Sequence, residues 1–249
     1  MKNKDGGPSR LTYLLIILLI MVVAFAIIFY FYSPYSEAAK GGRWSLPTPT
    51  PTKTPALTRS STPTSTIFSD DFSESLSKWQ VVYLTASIQS GQLDLIPLYQ
   101  TYNSPSDTHA PLIAAGDVAW KDYIFNVSMK TTRQLRPSNP NPWEVGWLIF
   151  RYVDSKNFYY FVHKTNGIEL GKLVNGTQKF LYTAGSPTLS LNQFNTYQVT
   201  LKGNIIKISI NGNQIVNYTD SSSPFLTGKI GLYNEDAETL SDDVLVTAN

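Results

Sequence analysis

Two short runs of strict alternation constrain this chain most. In YIFNVSMK, residues 123–130, the apolar Tyr123, Phe125, Val127 and Met129 alternate with Ile124, Asn126, Ser128 and Lys130. Ile206, Ile208 and Ile210 alternate in the same way with Lys207, Ser209 and Asn211. Successive side chains of a strand point to opposite faces, so a period of two puts one apolar face on a core. Between such runs lie the turn formers Ser90-Gly91, Thr165-Asn166-Gly167, Asn175-Gly176, Gly203-Asn204 and Asn211-Gly212. Asn211-Gly212, flanked by IIKISI and NQIVNY, predicts a tight hairpin, because both central residues of its favoured turn need positive φ. No long helical periodicity appears. Many short strands joined by hairpin turns predict an all-β fold, an antiparallel sandwich or jelly roll.

The first 66 residues follow a different rule. Residues 11–32 are 22 consecutive residues without a charge, nearly all apolar or aromatic. At 1.5 Å per residue such a run crosses a hydrocarbon core of about 30 Å as one helix, whereas a cleaved signal peptide has an apolar region of roughly 7–15 residues. The reading is an uncleaved transmembrane anchor at 11–32 behind a head at 1–10, with Ser36-Glu37-Ala38 as the alternative cleavage site. Lys2, Lys4 and Arg10 precede the span, and Lys40 and Arg43 follow it beside Glu37. The excess favours a cytoplasmic N-terminus. Within the linker, 33–66, residues 45–66 hold five Pro, eight Thr and four Ser. That composition cannot bury a core, and Ser/Thr/Pro stalks of this kind lie outside cells. The expected topology is single-pass, with the C-terminal domain extracytoplasmic.

Residues 67–249 then form one domain. Seven of the 20 Lys/Arg and two of the 18 Asp/Glu precede it, so the domain carries 13 basic and 16 acidic residues. A net charge near −3 argues against nucleic acid as a partner. The chain has no cysteine, so no disulfide framework exists.

The order of motifs in this domain carries a resemblance. FSDDFSESLSKWQ at 68–80 leads to GQLDL at 91–95, WKDYIFNVSMK at 120–130 and VGWLIFRYVDSKNFYYF at 145–161. YQVTLKGNIIKISINGNQIV at 197–216, TGKIGLY at 227–233 and DDVLV at 242–246 complete it. Taken in this order, they resemble the concanavalin A-like lectin and glucanase jelly rolls, most closely the laminarin-G-like and 3-keto-disaccharide hydrolase domains. The resemblance covers nearly all of 67–249. It implies two curved antiparallel sheets whose concave face takes carbohydrate. It also implies a calcium ion at the seam of the first and last strands, held at Asp71, Gly91 and Asp242. Oxygen ligands suit that ion, and solvated strand-end aspartates are the alternative.

Glucanases of this superfamily carry Glu-x-Asp-x-Glu on one strand, which supplies the two close carboxyls of a retaining hydrolysis. The equivalent strand here, NFYYFVH at 157–163, holds no carboxylate, and the motif occurs nowhere in the chain. What remains is a question of parity. An unpaired charge in an apolar interior is expensive. We therefore expect Gly146, Leu148, Phe150, Phe158, Tyr160 and Val162 in the core. Trp147, Ile149, Arg151, Tyr159, Phe161 and His163 would then face the groove. Trp147, Arg151, Tyr159 and His163 form the expected sugar-binding patch, with Trp143 in the loop RPSNPNPWE at its rim. Aromatic faces stack on sugar rings while polar tips bond hydroxyls. The competing reading is a plain aromatic sheet cover, with Arg151 paired to a local acid.

Three functions follow. The first is a membrane-anchored carbohydrate-binding or adhesion module. The second, implied by the resemblance, is a keto-glycoside hydrolase or lyase. In it His163 is the candidate acid/base, near Glu144 or Asp154. The third is a structural ectodomain with no ligand.

Overall fold

The computed structural model describes residues 65–83, 86–98, 101–102 and 107–249. The chain divides into two units, Met1–Thr58 and Arg59–Asn249, and every described residue belongs to the second. The expected anchor at 11–32 and nearly all of the linker lie outside the described residues. Among the described residues, no helix is long and apolar enough to cross a membrane.

Among the described residues fifteen strands follow one another, with a single 3-10 turn at Leu76–Lys78 as the only helical element. They begin with β1 (Thr66–Asp70), β2 (Trp79–Tyr83), β3 (Ser87–Gln89), β4 (Gln92–Leu95) and β5 (Leu112–Ala115). The long β6 (Tyr123–Gln134) precedes four strands in hairpin succession: β7 (Gly146–Asp154), β8 (Asn157–Lys164), β9 (Gly167–Val174) and β10 (Thr177–Ala184). The chain ends with β11 (Asn195–Lys202), β12 (Ile205–Ile210), β13 (Asn213–Thr219), β14 (Lys229–Asn234) and β15 (Ala237–Ala248).

These form two antiparallel sheets. One runs β13-β12-β11-β6-β15-β4-β3, with β1 also on β15; the other runs β10-β9-β8-β7-β14-β5-β2. The expected all-β sandwich is therefore what the chain forms. Between the sheets lies the main core. Tyr123, Phe125, Val127 and Met129 of β6 and Ile206, Ile208 and Ile210 of β12 meet Leu148, Phe150, Tyr159, Phe161 and Leu170 there. The Asn211-Gly212 turn closes the β12–β13 hairpin with φ of 51° and 80°.

The seven-stranded sheet is apolar on its other face as well. Ala114, Trp147, Ile149, Tyr152, Phe158, Tyr160 and Val162 form a second buried cluster there, covered in part by Leu189. A strand buried on both faces reads as a continuous apolar run, so its sequence does not mark which side is which.

Candidate functional site

On β7 the expected phase holds as far as residue 150: Leu148 and Phe150 enter the main core, and Trp147 and Ile149 take the other face. Arg151 departs from it. Tyr152 and Phe150 pair with the adjacent Lys229 and Ile230 of β14, leaving Arg151 as the extra residue of a bulge at φ 49°. Gly228 sits against its backbone, in space that a Cβ would fill. Instead of lining a groove, Arg151 is 1% exposed. It lies 3.3 Å from Asp122 Oδ1 and donates to the carbonyls of Phe225 and Gly203. Its backbone N–H donates to the Tyr123 hydroxyl.

β8 takes the opposite phase from the one expected. Tyr159 and Phe161 enter the main core, while Phe158, Tyr160 and Val162 face outward. The reason is that Tyr159 and His163 each find a partner on the inner side, which reduces the penalty that guided the expectation, although His163 Nε2 is buried without one among the described residues. Tyr159 donates to Asp220 Oδ2 at 2.5 Å, and the same oxygen accepts from buried Lys172 at 2.6 Å. Lys172 also donates to the carbonyls of Ser222 and Ser223. Burial pushes the Asp220 carboxyl up, but hydrogen bonds from Lys172 and Tyr159 outweigh it and hold the group below its ordinary range. His163 is buried with Nδ1 3.2 Å from the Tyr197 hydroxyl. Burial pushes its pKa down, which favours the neutral ring inside the sandwich.

The acids expected near His163 are occupied elsewhere. Glu144 Oε1 accepts from Arg136 Nε at 2.6 Å and from Asn141. Asp154 caps the β7–β8 turn through the Lys156 amide and Asn157.

Of the expected patch, Trp147 and Trp143 come together, joined by a hydrogen bond from Trp147 Nε1 to the Trp143 carbonyl at 2.9 Å. They line a cavity of about 280 Å³ on the outer face of the seven-stranded sheet, with Lys164, Glu169, Gln178, Phe180 and Glu235. Trp147 forms its floor. Its ring centroid lies 4.9 Å from Tyr160 and 5.3 Å from Tyr233. Trp143 and Phe180 stand at the rim, 43% and 65% exposed. Tyr160 donates to Glu169 Oε1 at 3.0 Å and accepts from Gln178 at 2.7 Å, while Lys164 holds Glu169 Oε2 at 2.8 Å. Across the cavity, Tyr233 donates to Glu235 Oε1 at 2.7 Å. Burial, then the charges of Asp236, Glu144 and Glu169, push the Glu235 carboxyl up to about 7, against the opposing Tyr233 bond. A group poised there can hold or release a proton near neutrality.

Sequence reasoning missed Glu169, Gln178, Phe180, Tyr233 and Glu235. Glu169 had a visible mark, a lone acid between Ile168 and Leu170 in a strand whose only other charge is Lys172.

The expected calcium residues lie along one seam. β4 and β1 run end to end beside β15, with Leu93 opposite Ser241 and Asp70 opposite Val244. This register brings Gly91 and Asp71 toward the β15 bulge at Asp242 and Asp243, the latter at φ 52°. Asp242 Oδ2 accepts from Gln92 at 3.3 Å, and Asp71 accepts from Ser73. Among the described residues no three His, Cys, Asp or Glu side chains gather as metal ligands. The resemblance implies main-chain oxygens at Asp71 and Gly91 with the Asp242 carboxylate, and the register sets these three positions along this seam.

Comparison with known proteins bears on the same domain. A model of the 3-keto-alpha-glucoside-1,2-lyase-like domain matches residues 66–246. No curated protein sequence matches the chain. Among solved structures, the carbohydrate binding module CBM66 from Bacillus subtilis superposes with a TM-score of 0.55 at 19% identity, covering 69% of this chain and 96% of that one. A prokaryotic β-1,3-1,4-glucanase (lichenase) from a mouse hindgut metagenome gives 0.55 at 16% identity, covering 73% and 98%. A Bacillus subtilis protein with a galectin-like fold gives 0.54 at 13% identity, covering 74% and 96%. At these identities the likeness is one of fold.

Proposed function

We propose that this chain, which belongs to the 3-keto-alpha-glucoside-1,2-lyase-like domain family, binds carbohydrate in the cavity floored by Trp147. The observation that carries the reading is the pairing of exposed Trp143 and Phe180 with a ring of polar tips from Lys164, Glu169, Gln178 and Glu235. Exposed rings supply stacking area, and fixed polar groups orient hydroxyls. The structural likeness to the carbohydrate binding module CBM66 supports it. The test is calorimetric titration of the full chain with a panel of oligosaccharides. Trp143→Ala with Phe180→Ala should weaken any binding at least about tenfold, or 1.4 kcal/mol. Unchanged affinity in the double variant would place the ligand elsewhere.

A second reading is favoured by one group, Glu235. In a 3-keto glycoside the ketone acidifies the C2 proton. A base removes that proton, the electron pair forms the C1–C2 double bond, and the C1 oxygen leaves and is protonated. Glu235, poised at about 7, suits the proton-accepting role. Incubation with a 3-keto disaccharide should then release the aglycone and an unsaturated keto sugar, and Glu235→Gln should abolish release.

The same proposal includes a calcium ion held at Asp71, Gly91 and Asp242. It also places an anchor at residues 11–32 that holds the domain outside the cytoplasm. Protease added to intact cells should shed the domain; protection until lysis would reverse the orientation.

A further inference from the structure

Every carboxylate near the cavity but one has a cation beside it. Lys164 Nζ lies 2.8 Å from Glu169. Arg136 bridges Glu144 at 2.6 Å and Asp236 at 3.1 Å, and His109 Nδ1 lies 2.9 Å from Asp236. Among the described residues, Glu235 has only the Tyr233 hydroxyl, on Oε1, and its Oε2 accepts no hydrogen bond. That carboxylate lines the same cavity as Trp143, Trp147 and Phe180. Ring faces attract cations, most strongly where water is excluded.

We infer that the cavity selects a carbohydrate bearing a protonated amino group, a de-N-acetylated hexosamine, with the ammonium seated against Glu235 among these aromatic rings. The inference rests on the carbohydrate-binding reading and adds the ligand's charge to it. A uronate would meet Glu235 and Glu169 as like charges, which interfaces reject. A neutral sugar would strip water from Glu235 without supplying a counter-charge, so its binding must hold the carboxyl protonated and loses whatever that proton uptake costs near neutral pH. An ammonium supplies both the charge and three donors. Burial and the surrounding acids already disfavour the ionised carboxyl, so a cation at this point relieves the group that most needs one.

The experiment is titration of the full chain near neutral pH with tri-glucosamine and with tri-N-acetylglucosamine. We expect tri-glucosamine to bind about tenfold tighter, equivalent to 1.4 kcal/mol. Glu235→Gln keeps the shape and removes the charge, and should bring the ratio near one. Asp154→Asn removes a surface charge in the β7–β8 turn and should leave the ratio as in the parent, which excludes general attraction to an acidic domain. Equal affinities in the parent chain, or a preference that survives Glu235→Gln, would overturn the inference while leaving carbohydrate binding in place. If neither trimer binds but another glycan does, the inference alone fails. If no glycan binds, the underlying reading fails with it.

Discussion

The phenol of Tyr160 lies across Gly171 on the neighbouring strand, in the space that a Cβ would occupy. Gly171 is absent from the positive-φ glycines, so the position asks for glycine because of room. The ring can then reach both Glu169 and Gln178. Gly171→Ala should displace Tyr160 and cost about 1–3 kcal/mol, as overpacked sites do. Urea melts and glycan titrations would measure the two effects together. Parental stability and binding would mean that Tyr160 does not position the cavity wall.

The buried set Tyr159, Lys172 and Asp220 gives a graded prediction. Lys172→Met leaves the Asp220 carboxylate buried without its cation and should cost about 3–5 kcal/mol. Tyr159→Phe removes one hydrogen bond to a charged group and should cost about 1.5–3 kcal/mol. Denaturant unfolding of both single variants and the double variant would read the coupling. A Lys172→Met loss below that of Tyr159→Phe would contradict the ion-pair geometry.

Glu235 sets a direction for pH. Its folded pKa, about 7, lies above the ordinary value of 4.5. Between those values the folded state binds more protons than the unfolded one, so this group's contribution to stability falls as pH rises. Its contribution is fully present below about 4.5 and lost by about 7. Thermal melts of the parent and Glu235→Gln across this window should converge at the acid end and separate toward neutrality, with Gln the more stable. Parallel curves would show that Glu235 titrates as an ordinary exposed acid.

If calcium occupies the β1–β4–β15 seam, chelation should lower the melting temperature, and Asp242→Ala should remove the response. Saturation at 100 times the dissociation constant is worth about 2.7 kcal/mol, well within reach of a thermal melt. Identical melts with and without chelator would leave Asp71 and Asp242 as solvated ends.

The eight-stranded sheet was legible because one of its faces meets water. In β6 and β12 the buried residues fall where the alternation put them. NFYYFVH was not legible in this way, since both faces of β8 are covered and either phase buries aromatics. The choice between phases rested on the cost of burying His163 and Arg151. That cost depends on partners, and those partners (Tyr197, Asp122, Gly203 and Phe225) lie 29 to 74 residues away. A bulged backbone at Arg151 further breaks the count that parity needs. Trp143 and Trp147 were found because they share one short segment. Glu235 enters from the far end of the chain, and nothing local advertises it.

The cavity is assembled from parts of unequal firmness. Its floor stands on β7 and β8, each paired on both edges and covered on both faces. Phe180 stands on β10, an edge strand paired only to β9 and exposed along most of its length. Trp143 stands on a connection between strands. Amides of the floor should therefore be among the last to exchange with deuterium, and those beneath Phe180 among the first. The entropy spent on capturing a ligand then falls almost wholly on the rim. On the proposed carbohydrate-binding reading, glycans of different outline would be accommodated by rearranging two rings over a base that keeps one geometry.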